Sequence, residues 1–224
     1  MLALIASGLA PGLALLSYFY LRDSYRPEPL RHVFKMFVVG AMLVFPTMAL
    51  QHAVREGIGN IFIFDSYITI ALTEEALKLF FLYHLAFKYP GFKEPYDGIV
   101  YAVSVGLGFA SAENILYLII NGIELAWLRA VIPVSGHALF GVFMGFYLSK
   151  FRFGKGNKRR KSLFLTVAIP VAAHGSLDFI LLYTDLLWMW FTIPFMLLLW
   201  VAGLNRVKVA HERSPYAPTN TLSH

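Results

Sequence analysis

Eight polar or ionisable residues interrupt stretches that otherwise read as membrane-buried, and their types could do chemistry. "ALTEEALKLFFLY" (71–83) carries Glu74, Glu75 and Lys78, and "FASAE" (109–113) ends on Glu113, with Asn114 next. "PVSGHALFG" (133–141) carries His137, and "PVAAHGSLDF" (170–179) carries His174 and Asp178. A charged side chain at the centre of a membrane helix costs about 2.5–3.5 kcal/mol on insertion scales, so such groups face a protein interior or a wet cavity. Carboxylates and imidazoles are also the groups that move protons near neutral pH and bind divalent metals. Two histidines and a glutamate suffice for a catalytic zinc site, three ligands plus a water.

Local spacing sharpens this reading. Glu74 and Lys78 are i,i+4 with the acid first, the favourable order for a helical ion pair. Glu75 is rotated about 100° from Glu74 and so points to a different part of the same region. His174 and Asp178 are also i,i+4, which lets the carboxylate orient the ring and set its tautomer. Both histidines follow a proline by four residues in a shared P-V-x-x-H. A proline opens the helix one turn earlier and can widen a cavity beside the imidazole.

The elements that must position these groups are transmembrane helices. The 224 residues are 58% hydrophobic and only 14% charged, against about 25% charged in soluble domains. With no cysteine, a disulfide scaffold, a thiolate metal site and a thiol nucleophile are all excluded. The first apolar stretch lacks a basic leader and a clear cleavage site, so it is read as a retained helix. A span needs roughly 20 apolar residues, and seven candidates fall near 2–21, 34–54, 61–87, 97–120, 126–149, 162–183 and 186–204. The expected fold is all-α: a polytopic helix bundle forming one domain over 1–204, with a polar, disordered tail over 205–224.

Charge sets the expected orientation. Segments 22–35, 88–97, 150–161 and 205–224 hold 4, 2, 7 and 3 Lys/Arg, which is 16 of the chain's 19. The opposite loops hold only Arg55 and Arg129. Basic loops stay cytoplasmic, placing the N-terminus outside and the C-terminus inside a multi-pass protein of the cell membrane. Topology thus accounts for the +6 net charge, and no nucleic-acid partner is expected. The run "KFRFGKGNKRRK" is expected to lie against anionic lipid headgroups. Glu94 and Asp97, at the cytoplasmic boundary, are expected to be solvated.

Depth then links the polar residues. At about 1.5 Å of rise per residue, His137 and His174 each come out near 15 Å from the outer face, the midplane of a core about 30 Å thick. Glu113 is slightly shallower and Glu74 slightly deeper. Small residues at Gly106/Ala110 and Gly141/Gly145 are expected to allow close helix packing around that layer. Other chemistries fit poorly: H-E-x-x-H and G-x-S-x-G are both missing, and "GLGFAS" follows no strand. The same layer of Glu, His and Asp would also suit a proton- or cation-coupled transporter, or a sensor in which buried charges only specify packing.

"EEALK" (74–78), "FASAE" (109–113), "HALFG" (137–141) and "HGSLD" (174–178) resemble the EExxK, FxxxE and two histidine motifs of the PrsW intramembrane proteases, distant relatives of the CAAX-processing membrane proteases. Each motif is loose, but four in order at matched depth are specific, and the likeness covers nearly the whole chain. The resemblance implies site-1 cleavage of a single-pass membrane anti-sigma factor, which leads to release of an envelope-stress sigma factor. It implies that Glu74, Glu75 and His174 are essential, with Glu113 and His137 in the same catalytic site; the spacing and polarity of Lys78, Asn114 and Asp178 put them in support. One divalent metal, zinc first, would sit on Glu113, His137 and His174. A metal-free activation of water, as argued for the CAAX relatives, stays open.

Overall fold

The computed structural model describes residues 1–58, 62–184 and 187–218. The helices are α1 (Leu2–Leu21), α2 (Leu30–Met42), α3 (Val44–Ile58), α4 (Phe62–Phe64), α5 (Thr73–Leu82), α6 (Pro95–Asn121), α7 (Ala126–Arg129), α8 (Ser135–Phe153), α9 (Gly156–Tyr183) and α10 (Trp188–Glu212). No strand occurs among the described residues. Among the described residues, six helical stretches are long and apolar enough to cross a membrane: 2–21, 30–57, 95–121, 123–153, 156–183 and 188–212. The third expected span is helical from 62 to 87 but broken into pieces. π-helical turns over Asp65–Leu72 and Tyr83–Phe87 flank α5, and the polar residues of α5 lower its mean hydropathy.

The most buried helices are α6 and α8, and small residues explain why. They run antiparallel in a fixed register: Gly145 lies on the backbone of Gly98, Gly141 on that of Ala102, and Gly106 on that of His137. A Cβ on Gly106 would sit 2.9 Å from the His137 carbonyl oxygen, and one on Gly141 2.9 Å from that of Ala102. On another face of α6, Gly108 meets the Phe37 carbonyl and Val105 meets Gly40, which seats α2. On a third, Ser111 and Ile115 fill the space above Gly12 and Gly8 of α1. The sequence marked Gly106, Gly141 and Gly145, and all three are close-approach points.

The two P-V-x-x-H prolines behave differently. Pro133 lies in a π-helical turn, Ala130–Val134, directly before α8, whereas Pro170 lies inside an uninterrupted α9. π-turns cluster at functional sites because the extra residue re-aims the side chains that follow. Here one precedes Glu74 and another precedes His137.

Two expectations change at the end of the bundle that carries the basic loops. The last span does not stop at 204, since α10 continues to Glu212 and the buried Ser214 hydroxyl bonds the Glu94 carboxylate. Amphipathic spacing holds it there, with Val207 and Ala210 buried in the main core; residues 219–224 of the expected tail lie outside the described residues. Glu94 and Asp97 are not solvated. Both are fully buried, and they close a reciprocal cap on α6 in which Asp97 Oδ2 accepts from the Glu94 N–H at 3.0 Å. First-turn amides of a helix need acceptors: Pro95 has none to satisfy, and the Glu94 carboxylate accepts from the Asp97 N–H.

Asp23, in the α1–α2 connection, is buried beside that cap. Burial first, then the charges of Glu94 and Glu28, push its carboxyl up to about 7, from about 3.9 in an unfolded chain. The folded state therefore holds the proton more tightly, so stability is full below about pH 4 and declines as pH rises through about 7. Asp23→Asn is expected to flatten that slope and to raise Tm at pH 8. Thermal unfolding in detergent from pH 5 to 8 checks this, and identical slopes for the two proteins would refute it.

Candidate active site

The side-chain ammonium of Lys78 is the hub of the site. It donates to Glu74 Oε2 at 3.1 Å, to Glu75 Oε1 at 2.8 Å and to His137 Nδ1 at 3.2 Å, and lies 4.1 Å from the centre of the Phe109 ring. An ammonium has only donors, so His137 Nδ1 accepts and its proton resides on Nε2. That N–H donates to Glu113 Oε2 at 3.1 Å. His174 Nδ1 donates to Glu75 Oε1 at 3.0 Å, and its Nε2 lies 3.2 Å from Asp178 Oδ2 and 3.9 Å from Glu74 Oε2. The two imidazoles meet edge to face at 5.0 Å, and Phe140 stacks on His174 at 4.8 Å. α5, α6, α8 and α9 thus each deliver one or more groups to one buried layer.

Burial divides the set. Glu75, Lys78, His137 and His174 are nearly closed to solvent, whereas the Glu113 side chain keeps 38% of its surface. Beside them opens a cleft of about 580 Å³. Glu74, Glu113, His137, His174 and Asp178 line it, and Glu75 does not. Its remaining walls are largely apolar, with Ile70, Ile132, Leu177 and Trp188 among them. The cleft therefore presents two imidazoles, three carboxylates and the Arg129 guanidinium to a ligand between largely apolar walls.

Some of the groups here carried no signal recognised in the sequence. Arg129, counted only as a loop charge, donates through Nη2 to Glu113 Oε1 at 3.1 Å and through Nε to Asn114 Oδ1 at 3.0 Å. Asn114 in turn donates to the Gly8 carbonyl at 3.1 Å, which ties α1 to the site. Gln51 donates to Glu74 Oε1 at 3.2 Å. Arg129 was legible in principle, as one of two basic residues on the side poor in them; the other, Arg55, pairs with Asp65 at 2.8 Å. Gln51 has neither charge nor motif.

One donor atom from each of Glu74, Glu75, His137 and His174 lies within 4.8 Å of all the others. Carboxylate and imidazole are the donors a catalytic zinc takes from a protein with no cysteine, so this set fits a divalent metal chemically. Glu113 stands outside the four, against the far nitrogen of the His137 ring. The Lys78 ammonium already touches three of the four donors and acts as the cluster's counter-charge.

Fold and site together define a multi-pass helical membrane protein with a buried Glu/His centre able to hold a metal. Residues 28–202 match the PrsW family of intramembrane metalloproteases, and the chain belongs to that family. It is 48% identical to Protease PrsW of Bacillus subtilis (strain 168) over 213 residues, covering 95% of this chain and 97% of that one. It is similar to Protease PrsW of Geobacillus kaustophilus (48% over 211 residues; 94% and 93%) and of Clostridioides difficile (35% over 206 residues; 87% and 86%). No solved structure matches. The chain is thus a membrane peptidase, and the transporter alternative raised by the same residues gives way.

Proposed function

We propose that this protein performs site-1 cleavage of a single-pass membrane anti-sigma factor, with Glu74 as general base, leading to activation of an envelope-stress sigma factor. The observation that carries the reading is the cleft itself: Glu74, His137 and His174 face a largely apolar trough of about 580 Å³. The trough opens at the end of the bundle away from the basic loops, between the C-terminal half of α6, α7 and the start of α10. With the N-terminus outside and the C-terminus cytoplasmic, as loop charge favours, that end faces outward.

Glu74 is the better candidate for the base because it borders the cleft while Glu75 is turned away, against Lys78 and His174. Gln51 and Lys78 each fix one oxygen of Glu74, so the carboxylate is aimed before substrate arrives. It takes a proton from water attacking the scissile carbonyl and returns it to the leaving amine. His137 and His174 help hold the attacking water, and Glu75 and Asp178 orient His174. Glu75, His137 and His174, three of the four clustered donors, would hold one zinc ion with a position left open, and the ion would supply Lewis-acid polarisation when bound.

Co-expression with a tagged single-pass anti-sigma factor tests the reaction, since only a protease shortens that substrate. The proposal fails if wild type leaves the tag at full length, or if Glu74→Gln still cuts as wild type does. For the metal, purified protein is expected to carry about one zinc per chain by elemental analysis, falling severalfold in His137→Ala/His174→Ala. Full cleavage by protein freed of zinc with a chelator would remove the metal from the scheme.

A further inference from the structure

A second cleft, of about 640 Å³, lies at the opposite end of the bundle from the site just described. The last turn of α8, the first turns of α9, the C-terminal end of α10 and Pro95 of α6 form it. Five cations line it, Lys150, Lys155, Lys158, Lys161 and Arg213, and no acidic side chain does. None of the five forms an ion pair among the described residues, whereas Arg26, Arg55, Lys78 and Arg129 each do. Like charges gathered in one concavity repel, and the concave low-dielectric walls focus their field. The first-turn amides of the 28-residue α9 begin at this cleft and add the positive end of its dipole. No described residue supplies a counter-charge, and an anion from outside can.

The remaining walls say what kind of anion. Tyr147, Phe153 and Leu165 make part of the lining apolar, and next to it Phe164 and Leu163 of α9 turn outward, 72% and 44% exposed. A compact phosphate suits the lysines, and a hydrocarbon tail suits the flank. Ser162, also in the lining, is spent on the Lys158 carbonyl at 2.9 Å, so recognition rests on charge rather than on a hydroxyl network.

We propose that this cleft is a binding site for a phosphate-diester anion, supplied by the headgroup of an anionic phospholipid. The ligand joins the ends of α6, α8, α9 and α10, the first three of which carry Glu113, His137 and His174 farther along. The site is independent of the catalytic reading and stands whatever the substrate is. It is also more than diffuse attraction of basic loops to a membrane, because it has a definite place and stoichiometry.

Purified full-length protein in neutral detergent is titrated with phosphatidylglycerol, phosphatidylcholine or inorganic phosphate, following Tm and, by native mass spectrometry, retained lipid. Phosphatidylglycerol is expected to raise Tm saturably with one molecule retained, and the effect should fade with salt. Lys155→Ala/Lys158→Ala/Lys161→Ala, all solvent-exposed and therefore foldable, should weaken binding by about tenfold or more. Arg31→Ala/Lys35→Ala/Lys88→Ala removes equal charge from exposed positions outside the cleft and should change it by less than about twofold. A saturable shift with inorganic phosphate alone, lost in the same cleft variant, would keep the anion site and assign it to soluble phosphate. Equal binding of phosphatidylcholine, or equal losses in the two triple variants, would overturn the proposal.

Discussion

Glu74→Gln is expected to lower substrate cleavage by about 10²–10⁴-fold, the range set by loss of a positioned general base, while the protein still folds. Glutamine is isosteric: its carbonyl oxygen keeps the Lys78 donor, which reaches Glu74 Oε2 at 3.1 Å, and its NH2 donates to Gln51 once the Gln51 amide, now donating to Oε1 at 3.2 Å, turns over. Lys78 also retains Glu75 as its charged partner. Glu75→Gln should abolish cleavage too, but for a different reason. Glu75 Oε1 accepts from both Lys78 and His174, and a neutral amide there leaves the Nδ1 side of His174 without its charged acceptor, with only Asp178 on the other side. Single-turnover cleavage of the tagged substrate, compared with Tm for each variant, separates the two cases: Glu74→Gln should lose rate at unchanged Tm, whereas Glu75→Gln should lose both. Wild-type rates in Glu74→Gln would transfer the base to another carboxylate.

The second large effect is steric. Gly145→Val is expected to cost about 3 kcal/mol or more and to abolish cleavage without touching any polar residue of the site. A Cβ on Gly145 would collide with the Gly98 carbonyl and the Ile99 Cα, which are backbone atoms that no rotamer change can move. α6 and α8 would have to separate, and with them Glu113 and His137. Gly57→Ala is the matched control, because a Cβ there meets nothing within 4 Å. Thermal denaturation and cleavage are measured on both. Should Gly145→Val keep wild-type stability, the α6–α8 contact would not be what holds the layer together.

Membrane insertion makes some of this unusually legible. Apolar runs of spanning length, the uneven spread of Lys and Arg, and the few polar residues inside the runs are properties of composition and rise per residue alone. From them the depth of His137 and His174 followed, and the structure puts their rings 5.0 Å apart. The small residues at Gly106, Gly141 and Gly145 were visible for the same reason, since membrane helices approach closely only where side chains are minimal.

What the chain's order of residues determined by itself was therefore an all-helical membrane fold and the level at which its chemistry sits. Tertiary structure alone decided which groups meet within that level. Helix rotation and π-turns turn Glu74 to the cleft and Glu75 away, bring Arg129 and Gln51 onto the carboxylates, and leave Glu113 outside the four-donor group. Buried Glu94 and Asp97, and the docking of Ser214, belong to the same category. Depth depends on position along one helix, which one-dimensional spacing records. Rotation and partner choice depend on packing among several helices, and no single segment encodes that.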